Sequence, residues 1–280
     1  MLYQVIDLPE QYPALKKFNS QAKLYAYARE QSPEVQSERP RPAVLIFPGG
    51  AYRFTSDREA EPVALHFLAQ GCQTFVLRYT CAPARYPTQL TEAAAAMKYL
   101  RENADKFFAD ADRVAVIGFS AGGHLAGTLS CLWDTQTVCT ALSVKDSRML
   151  RPNAACLCYP VITSDQYAHC DSFCALLGEN PDEQLLKSLS LEHAVRADMP
   201  PVFLWHTAND DGVPVQNSLL FANALLQKEV PCELHVFDKG VHGLSLASPL
   251  TAAPGSSAQV DAHCAHWAQL FVEWMQRVLP

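Results

Sequence analysis

The stretch Gly118-Phe119-Ser120-Ala121-Gly122 constrains this chain more than any other. It follows the apolar run Val114-Ala115-Val116-Ile117 and leads into Gly123-His124-Leu125-Ala126, which reads as a strand turning sharply into a helix with a serine at the tip. A serine held there adopts a strained backbone conformation, and the residues two positions away must be small enough for strand and helix to pass closely. Gly118 and Gly122 meet that need. The turn lifts the Ser120 hydroxyl clear of the sheet and aims the first amides of the helix, beginning with Ala121, at whatever the hydroxyl attacks.

The flanking sequence repeats one unit, strand then helix. Ala43-Val44-Leu45-Ile46-Phe47 is a continuous apolar run, as expected of a strand covered on both faces, and it ends in Pro48-Gly49-Gly50-Ala51-Tyr52. Ser56-Asp57-Arg58-Glu59 then reads as a capping box opening a helix that carries Val63, Leu65, Phe67 and Leu68, with Arg58 and Glu59 at a solvated helix start. Thr74-Phe75-Val76-Leu77 is the next buried strand. Leu90, Ala93, Ala94, Met97 and Leu100 stripe the helix after it. With the Val114 strand and a helix reaching Leu132, this order implies a parallel sheet with helices on both faces.

Before that series, Leu2 to Ile6 and Lys23 to Arg29 read as short strands forming an antiparallel margin, the second alternating like an exposed edge. Ser32-Pro33 and Arg39-Pro40-Arg41-Pro42 mark a surface connection. After it, Ala154 to Tyr159 supplies a further buried strand, and from Pro160 to about Met199 the hydrophobic period weakens, as in a small lid inserted beside the sheet's carboxyl edge. Pro201 to Trp205 resumes the sheet. A helix striped by Leu219, Ala222, Leu225 and Leu226 follows, then the strand Glu233 to Phe237 and a closing helix with Trp267, Leu270, Phe271, Trp274, Met275 and Val278 on one face. No internal repeat or domain boundary interrupts the 280 residues, which read as a single domain, 1–280, with the lid at about 160–199.

Composition narrows the partners. A net charge of -7 without basic runs argues against nucleic acid and anionic membranes, and neither a leader nor a bilayer-length apolar segment is visible, which gives the expectation of a cytoplasmic protein. Most of the ten cysteines sit inside apolar runs, Cys131, Cys156 and Cys158 among them, where a reduced thiol packs as a small core residue. Their spacings lack the paired pattern of a zinc site, and His263, Cys264 and His266 read as surface or packing residues of an amphipathic helix. No metal and no cofactor is expected.

A serine hydroxyl needs a base to accept its proton and an acid to orient that base. Reacting groups on a parallel sheet gather at the carboxyl ends of its strands. That filter keeps His206 and His242 among the histidines, and Asp210, Asp211 and Asp238 among the carboxylates. His206 shares a strand end with the Asp pair and would be crowded as their partner, whereas His242 lies in the glycine-flanked loop Gly240-Val241-His242-Gly243 and is the better base. His124 takes a packing role. Spacing alone does not choose between Asp210 and Asp211.

These residues carry a resemblance. Pro48-Gly49-Gly50-Ala51-Tyr52, the Ser120 turn, Asp210-Asp211-Gly212-Val213-Pro214 and Gly240-Val241-His242-Gly243 make the chain similar, over nearly its whole length, to the α/β-hydrolase superfamily. Within it the chain resembles the branch of bacterial carbohydrate acetylesterases and feruloyl-esterase-like lipase relatives. The order of nucleophile, acid and histidine is the one this superfamily uses. The resemblance implies an α/β-hydrolase fold, a mostly parallel central sheet with helices on both faces and a small lid insertion. Its Asp-x-x-Val-Pro spacing puts the acid at Asp210, with Asp211 as the fallback. It implies oxyanion donors at the amides of Gly50 and Ala51 acting with that of Ala121, although this chain has Pro48-Gly49-Gly50-Ala51 where related lipases have His-Gly-Gly-Gly.

The expected chemistry is a serine esterase acting through Ser120, His242 and Asp210 on short acyl groups, acetyl above all, carried by sugars or small alcohols. Acetylated oligosaccharides are the substrate class the resemblance favours. Tyr52 and Tyr159 are candidates for the wall of the acyl pocket. A serine peptidase of the prolyl-oligopeptidase type shares the triad but normally carries an additional domain. A catalytically silent hydrolase fold used for binding usually lacks part of the triad.

Overall fold

The structure is a computed structural model that describes residues 1–32, 34–35 and 39–280. The expectation at Ser32-Pro33 therefore lies partly outside the described residues. Eight strands form one sheet: β1 (Leu2–Asp7), β2 (Lys23–Ala28), β3 (Arg41–Phe47), β4 (Gln73–Arg78), β5 (Ala109–Phe119), β6 (Ala154–Cys158), β7 (Val202–Thr207) and β8 (Cys232–Phe237). Their order is β1-β2-β4-β3-β5-β6-β7-β8, parallel from β4 to β8 and antiparallel where β1 meets β2 and β2 meets β4. Each parallel crossover carries its helix over a face of the sheet, as the alternating pattern requires.

Period-two alternation then splits the core into two layers. Leu45, Phe47, Val116, Leu157 and Leu204 point to the side covered by the helices Thr88–Glu102, Ala121–Leu132 and Gln216–Gln227. Val44, Ile46, Ile117, Phe203 and Trp205 point to the side covered by Glu61–Ala69 and His266–Val278. Each fully buried Leu, Val or Phe contributes roughly 1.5–3 kcal/mol of transfer free energy. The closing helix docks through Trp267, Phe271, Trp274 and Met275, with the Trp267 ring stacked on Trp205.

Five local expectations differ from the structure. Arg41 and Pro42 belong to β3, and β2 is interior: β1 is the edge, with Tyr3 and Val5 exposed. Asp57–Glu59 forms a 3₁₀ turn, the helix starts only at Glu61, and no side-chain cap comes from Ser56. On Gln216–Gln227 the inward residues are Asn217, Ser218, Phe221, Ala222 and Leu225, while Leu219 and Leu226 face solvent, because a buried asparagine claims the inner face. Its Oδ1 accepts from the amides of Ile162 and Thr163, and its Nδ2 donates to the carbonyl of Tyr167. His263 and Cys264 precede the last helix, and Cys264 is buried.

The segment after β6 holds three short helices, Cys170–Leu177, Glu183–Ser188 and Leu191–Ala194. It is tied down at several points. Arg85 donates to the carbonyls of Cys174 and Ala175, Tyr86 N–H donates to Leu176 O, and Leu191 packs against Gly127. Among the described residues no helix is long and apolar enough to cross a membrane.

Candidate active site

The end of β5 is where the chain departs from regular geometry. Ser120 has φ 53° and ψ -119°, a left-handed position that a non-glycine residue occupies only when its surroundings enforce it. The enforcement is visible. Ser120 N–H donates to Cys158 O and its carbonyl accepts from Val161 N–H, which pins the turn to β6. A Cβ on Gly118 would sit 2.1 Å from Gly122 O, and one on Gly122 would sit 2.1 Å from Phe47 O. Both glycines are therefore demanded by contact with backbone.

Two distant loops meet the serine. His242 Nε2 lies 2.8 Å from Ser120 Oγ, and His242 Nδ1 lies 2.9 Å from Asp210 Oδ2 and 3.1 Å from Oδ1. A carboxylate can only accept, which places the ring proton on Nδ1 and leaves Nε2 free to take a proton from the hydroxyl. The imidazole is 25% exposed, the carboxylate 1%. Asp210 also accepts from the amides of Gly212 and Val213 at 2.9 and 2.8 Å. Burial by itself would raise the Asp210 carboxyl. Contacts with His206 and His242, the charge of His242 and the Val213 amide outweigh it and hold the group well below the usual carboxylate range.

Asp211 sits elsewhere: its Oδ1 accepts from the backbone N–H of His242 at 3.1 Å. Asp238 is exposed. His206 is buried with Nε2 2.9 Å from Val213 O and 3.4 Å from Asp210 Oδ2, while Nδ1 faces Ser218 Oγ at 2.8 Å. It is the second imidazole on the carboxylate, a role its crowded strand end disguises in the sequence. His124 is buried in the helix after Ser120, where the Tyr52 hydroxyl donates to Nδ1 and Nε2 donates to Leu189 O. Burial pulls its pKa down to about 4, keeping this ring neutral.

The glycine turn after β3 has φ 127° at Gly50, 52° at Ala51 and 58° at Tyr52. The amide of Gly49 donates to Glu59 Oε2 at 2.8 Å, whereas among the described residues those of Gly50, Ala51 and Ala121 donate to no protein acceptor. Free amides beside a strained serine are what an oxyanion would need. Tyr52 and Tyr159 are each 1% exposed, with both hydroxyls engaged. Tyr159 stands with its ring edge-on to His242 at 5.1 Å.

The pair Arg58 and Glu59 corrects the expectation of a solvated helix start. Glu59 is 4% exposed, and its Oε1 accepts from the Tyr159 hydroxyl at 2.7 Å. Arg58 Nη2 donates to Gly243 O at 2.6 Å and Nε donates to Thr251 O. The insertion also reaches the site: burial first, then the nearby charge of His242, lowers the His169 imidazole, and Arg53 of the glycine turn faces Asp171 at 3.7 Å.

Elsewhere, Asp165, Glu192 and His193 bring ligand-type atoms within 4.8 Å of one another, with both Glu192 oxygens already accepting from Ser190 Oγ. A cleft of about 670 Å³ lies at the amino ends of β6 and β7, away from Ser120. Its half-buried cation, Arg101, is occupied by the carbonyls of Ala111, Arg148 and Met149.

With this geometry in view, residues 31–225 match the BD-FAE family. The chain belongs to that family. It has the α/β-hydrolase fold, and its relatives include proteins named as carboxylesterases and acetyl ester hydrolases. An acetyl ester-xyloside bifunctional hydrolase from Caldicellulosiruptor lactoaceticus is 38% identical, with a TM-score of 0.79 over 92% of this BD-FAE chain and 88% of that one. The carboxylesterase Cest-2923 from Lactobacillus plantarum is 29% identical, with a TM-score of 0.80 over 92% and 94%. Endo-1,4-beta-xylanase B of Butyrivibrio fibrisolvens is 38% identical over 218 residues, 74% of this chain and 33% of its own length. An acetylxylan esterase of Xylanibacter ruminicola is 28% identical over 212 residues, 74% of this chain and 42% of its own. The BD-FAE chain thus spans well under half the length of these two curated relatives.

Proposed function

We propose that this chain hydrolyses carboxylic esters in two steps through an acyl-enzyme on Ser120. The observation that carries the reading is the pair of contacts at 2.8 and 2.9 Å joining Ser120 Oγ, the His242 ring and Asp210. Ser120 Oγ attacks the ester carbonyl as His242 Nε2 takes its proton, and Asp210 stabilises the resulting imidazolium through Nδ1–H. The oxyanion sits against the amides of Gly50, Ala51 and Ala121. The tetrahedral adduct collapses, Nε2–H protonates the departing alkoxide, and a water deprotonated by the same nitrogen then frees the carboxylic acid.

The favoured substrate is a short acyl ester, acetyl above all, of a sugar or small alcohol, with acetylated oligosaccharides as the natural class. Relatives named for acetylxylan and for acetyl esters of xylosides support this. We read residues 1–280 as one domain whose insertion at about 160–199 covers the rim of the site, a reading supported by the contact of Asp171 with Arg53 of the glycine turn. Ten free thiols suit a reducing, cytoplasmic setting.

The test is turnover of p-nitrophenyl esters. Ser120→Ala should lose roughly 10⁵-fold or more in kcat on the acetate ester. A variant keeping near wild-type turnover would reject the mechanism. Acetate should be preferred to butyrate and octanoate, and a preference for octanoate would reject the short-acyl assignment.

A further inference from the structure

Glu59 and Arg58 lie side by side in a single 3₁₀ turn, and their partners come from the glycine turn ten residues back and from two loops remote in sequence. Glu59 Oε2 accepts from Gly49 N–H, the amide immediately before the candidate oxyanion donors Gly50 and Ala51. Its Oε1 accepts from the Tyr159 hydroxyl, whose oxygen in turn accepts from Ser245 N–H at 2.8 Å. Arg58 holds the same loop from the other side. Its guanidinium binds Gly243 O and Thr251 O, and its own carbonyl accepts from Ser245 Oγ at 2.8 Å. Gly243 directly follows His242, and the Tyr159 ring packs against the imidazole.

Burying a carboxylate is costly unless its hydrogen bonds are fully used, and an exposed Glu59 would have opened the helix as well. The inward placement also fixes its neighbour, since a Cβ on Gly49 would come within 2.8 Å of Glu59 Oε2. What the burial achieves is a hydrogen-bonded path between the turn presenting the amides and the loop presenting the base.

We propose that Arg58 and Glu59 form a brace that sets the oxyanion turn and the His242 loop in mutual register, making both positioning residues for the hydrolysis. This rests on the reading of Ser120, His242 and Asp210 given above. Neither side chain touches the reacting atoms. Their effect falls on the alignment of groups that bind the transition state, and displacing such a group by about 1 Å costs roughly a hundredfold in rate.

The experiment is steady-state kinetics of purified variants on p-nitrophenyl acetate, alongside Ser120→Ala. Glu59→Ala should lower kcat about a hundredfold with KM within about threefold of wild type. Glu59→Gln should recover about tenfold of that loss, because its amide oxygen still accepts from Gly49 N–H. Arg58→Ala, at a half-buried site, should lower kcat about tenfold, again with little change in KM, and it carries the test if Glu59→Ala does not fold. The brace is overturned by folded variants with kcat within about threefold of wild type, by losses confined to KM, or by a Gln variant no better than Ala. An inactive Ser120→Ala beside fully active brace variants would sink the brace alone. An active Ser120→Ala would sink the underlying mechanism and the brace with it.

Discussion

Asp210 and Glu59 are both carboxylates buried close to His242, and they are wired differently. Asp210 touches the ring directly and fills its remaining capacity with amides two and three residues ahead, Gly212 and Val213. Glu59 does not touch the ring. It accepts from an amide ten residues back and from a hydroxyl a hundred residues ahead. The Asp210 turn is a locally closed device, assembled by a short loop that any chain with that spacing can form. The Glu59 turn exists only once the sheet has brought three loops together. In the proposed mechanism the two acidic residues divide the work, Asp210 setting charge on the histidine and Glu59 the geometry of its loop.

Substitutions can break or sharpen this contrast. The largest effect is expected at the direct contact: Asp210→Asn should lower kcat roughly 10⁴-fold, because an amide in that place favours the wrong imidazole tautomer. Kinetics on the acetate ester check this, and a loss below tenfold would move the acid role elsewhere. Next is Gly212, where a Cβ would lie 2.8 Å from His242 Cγ. Gly212→Ala should push the ring off Ser120 and cost about a hundredfold in kcat with the fold retained. Circular dichroism together with kinetics would separate that from unfolding.

Protonation gives a third, smaller effect. The Asp210 carboxyl is depressed in the folded chain, and its stabilisation is therefore present above the unfolded value of about 3.9 and lost as pH falls toward the folded one. The wild-type lead over Asp210→Asn in urea midpoint should hold at pH 6 and shrink below about pH 4. A lead that does not change with pH would contradict the assignment. Smallest is Asp211→Asn, which keeps an acceptor for His242 N–H and should leave kcat within about threefold of wild type. A large loss there would make Asp211 more than a loop contact.

The same contrast explains what could be read from the chain. Gly118, Ser120 and Gly122 are legible because their constraint spans two residues, and the apolar runs of β3 to β7 are legible because burial on both faces leaves a continuous signature. The placement of His242 at a strand end followed from topology, and the choice of Asp210 over Asp211 needed the resemblance. Arg58 and Glu59 carried no such mark. A Ser-x-x-Glu sequence before a helix has a cheap local solution, the capping box, and only the arrival of Gly49, Tyr159 and Gly243 shows why the chain does not use it. Topology keeps His206 with His242 as a histidine at a strand end and crowding sets it aside as a partner of the Asp pair, yet the folded Asp210 turn brings its carboxylate to 3.4 Å from that ring.

The account stands on Ser120 being the group that His242 activates. Labelling the purified chain with a fluorophosphonate and mapping the adduct by peptide mass spectrometry measures this most directly. The expected result is one adduct on Ser120, absent in Ser120→Ala and strongly slowed in His242→Ala. An adduct on another residue, or labelling of Ser120 unaffected by loss of the His242 ring, would contradict it.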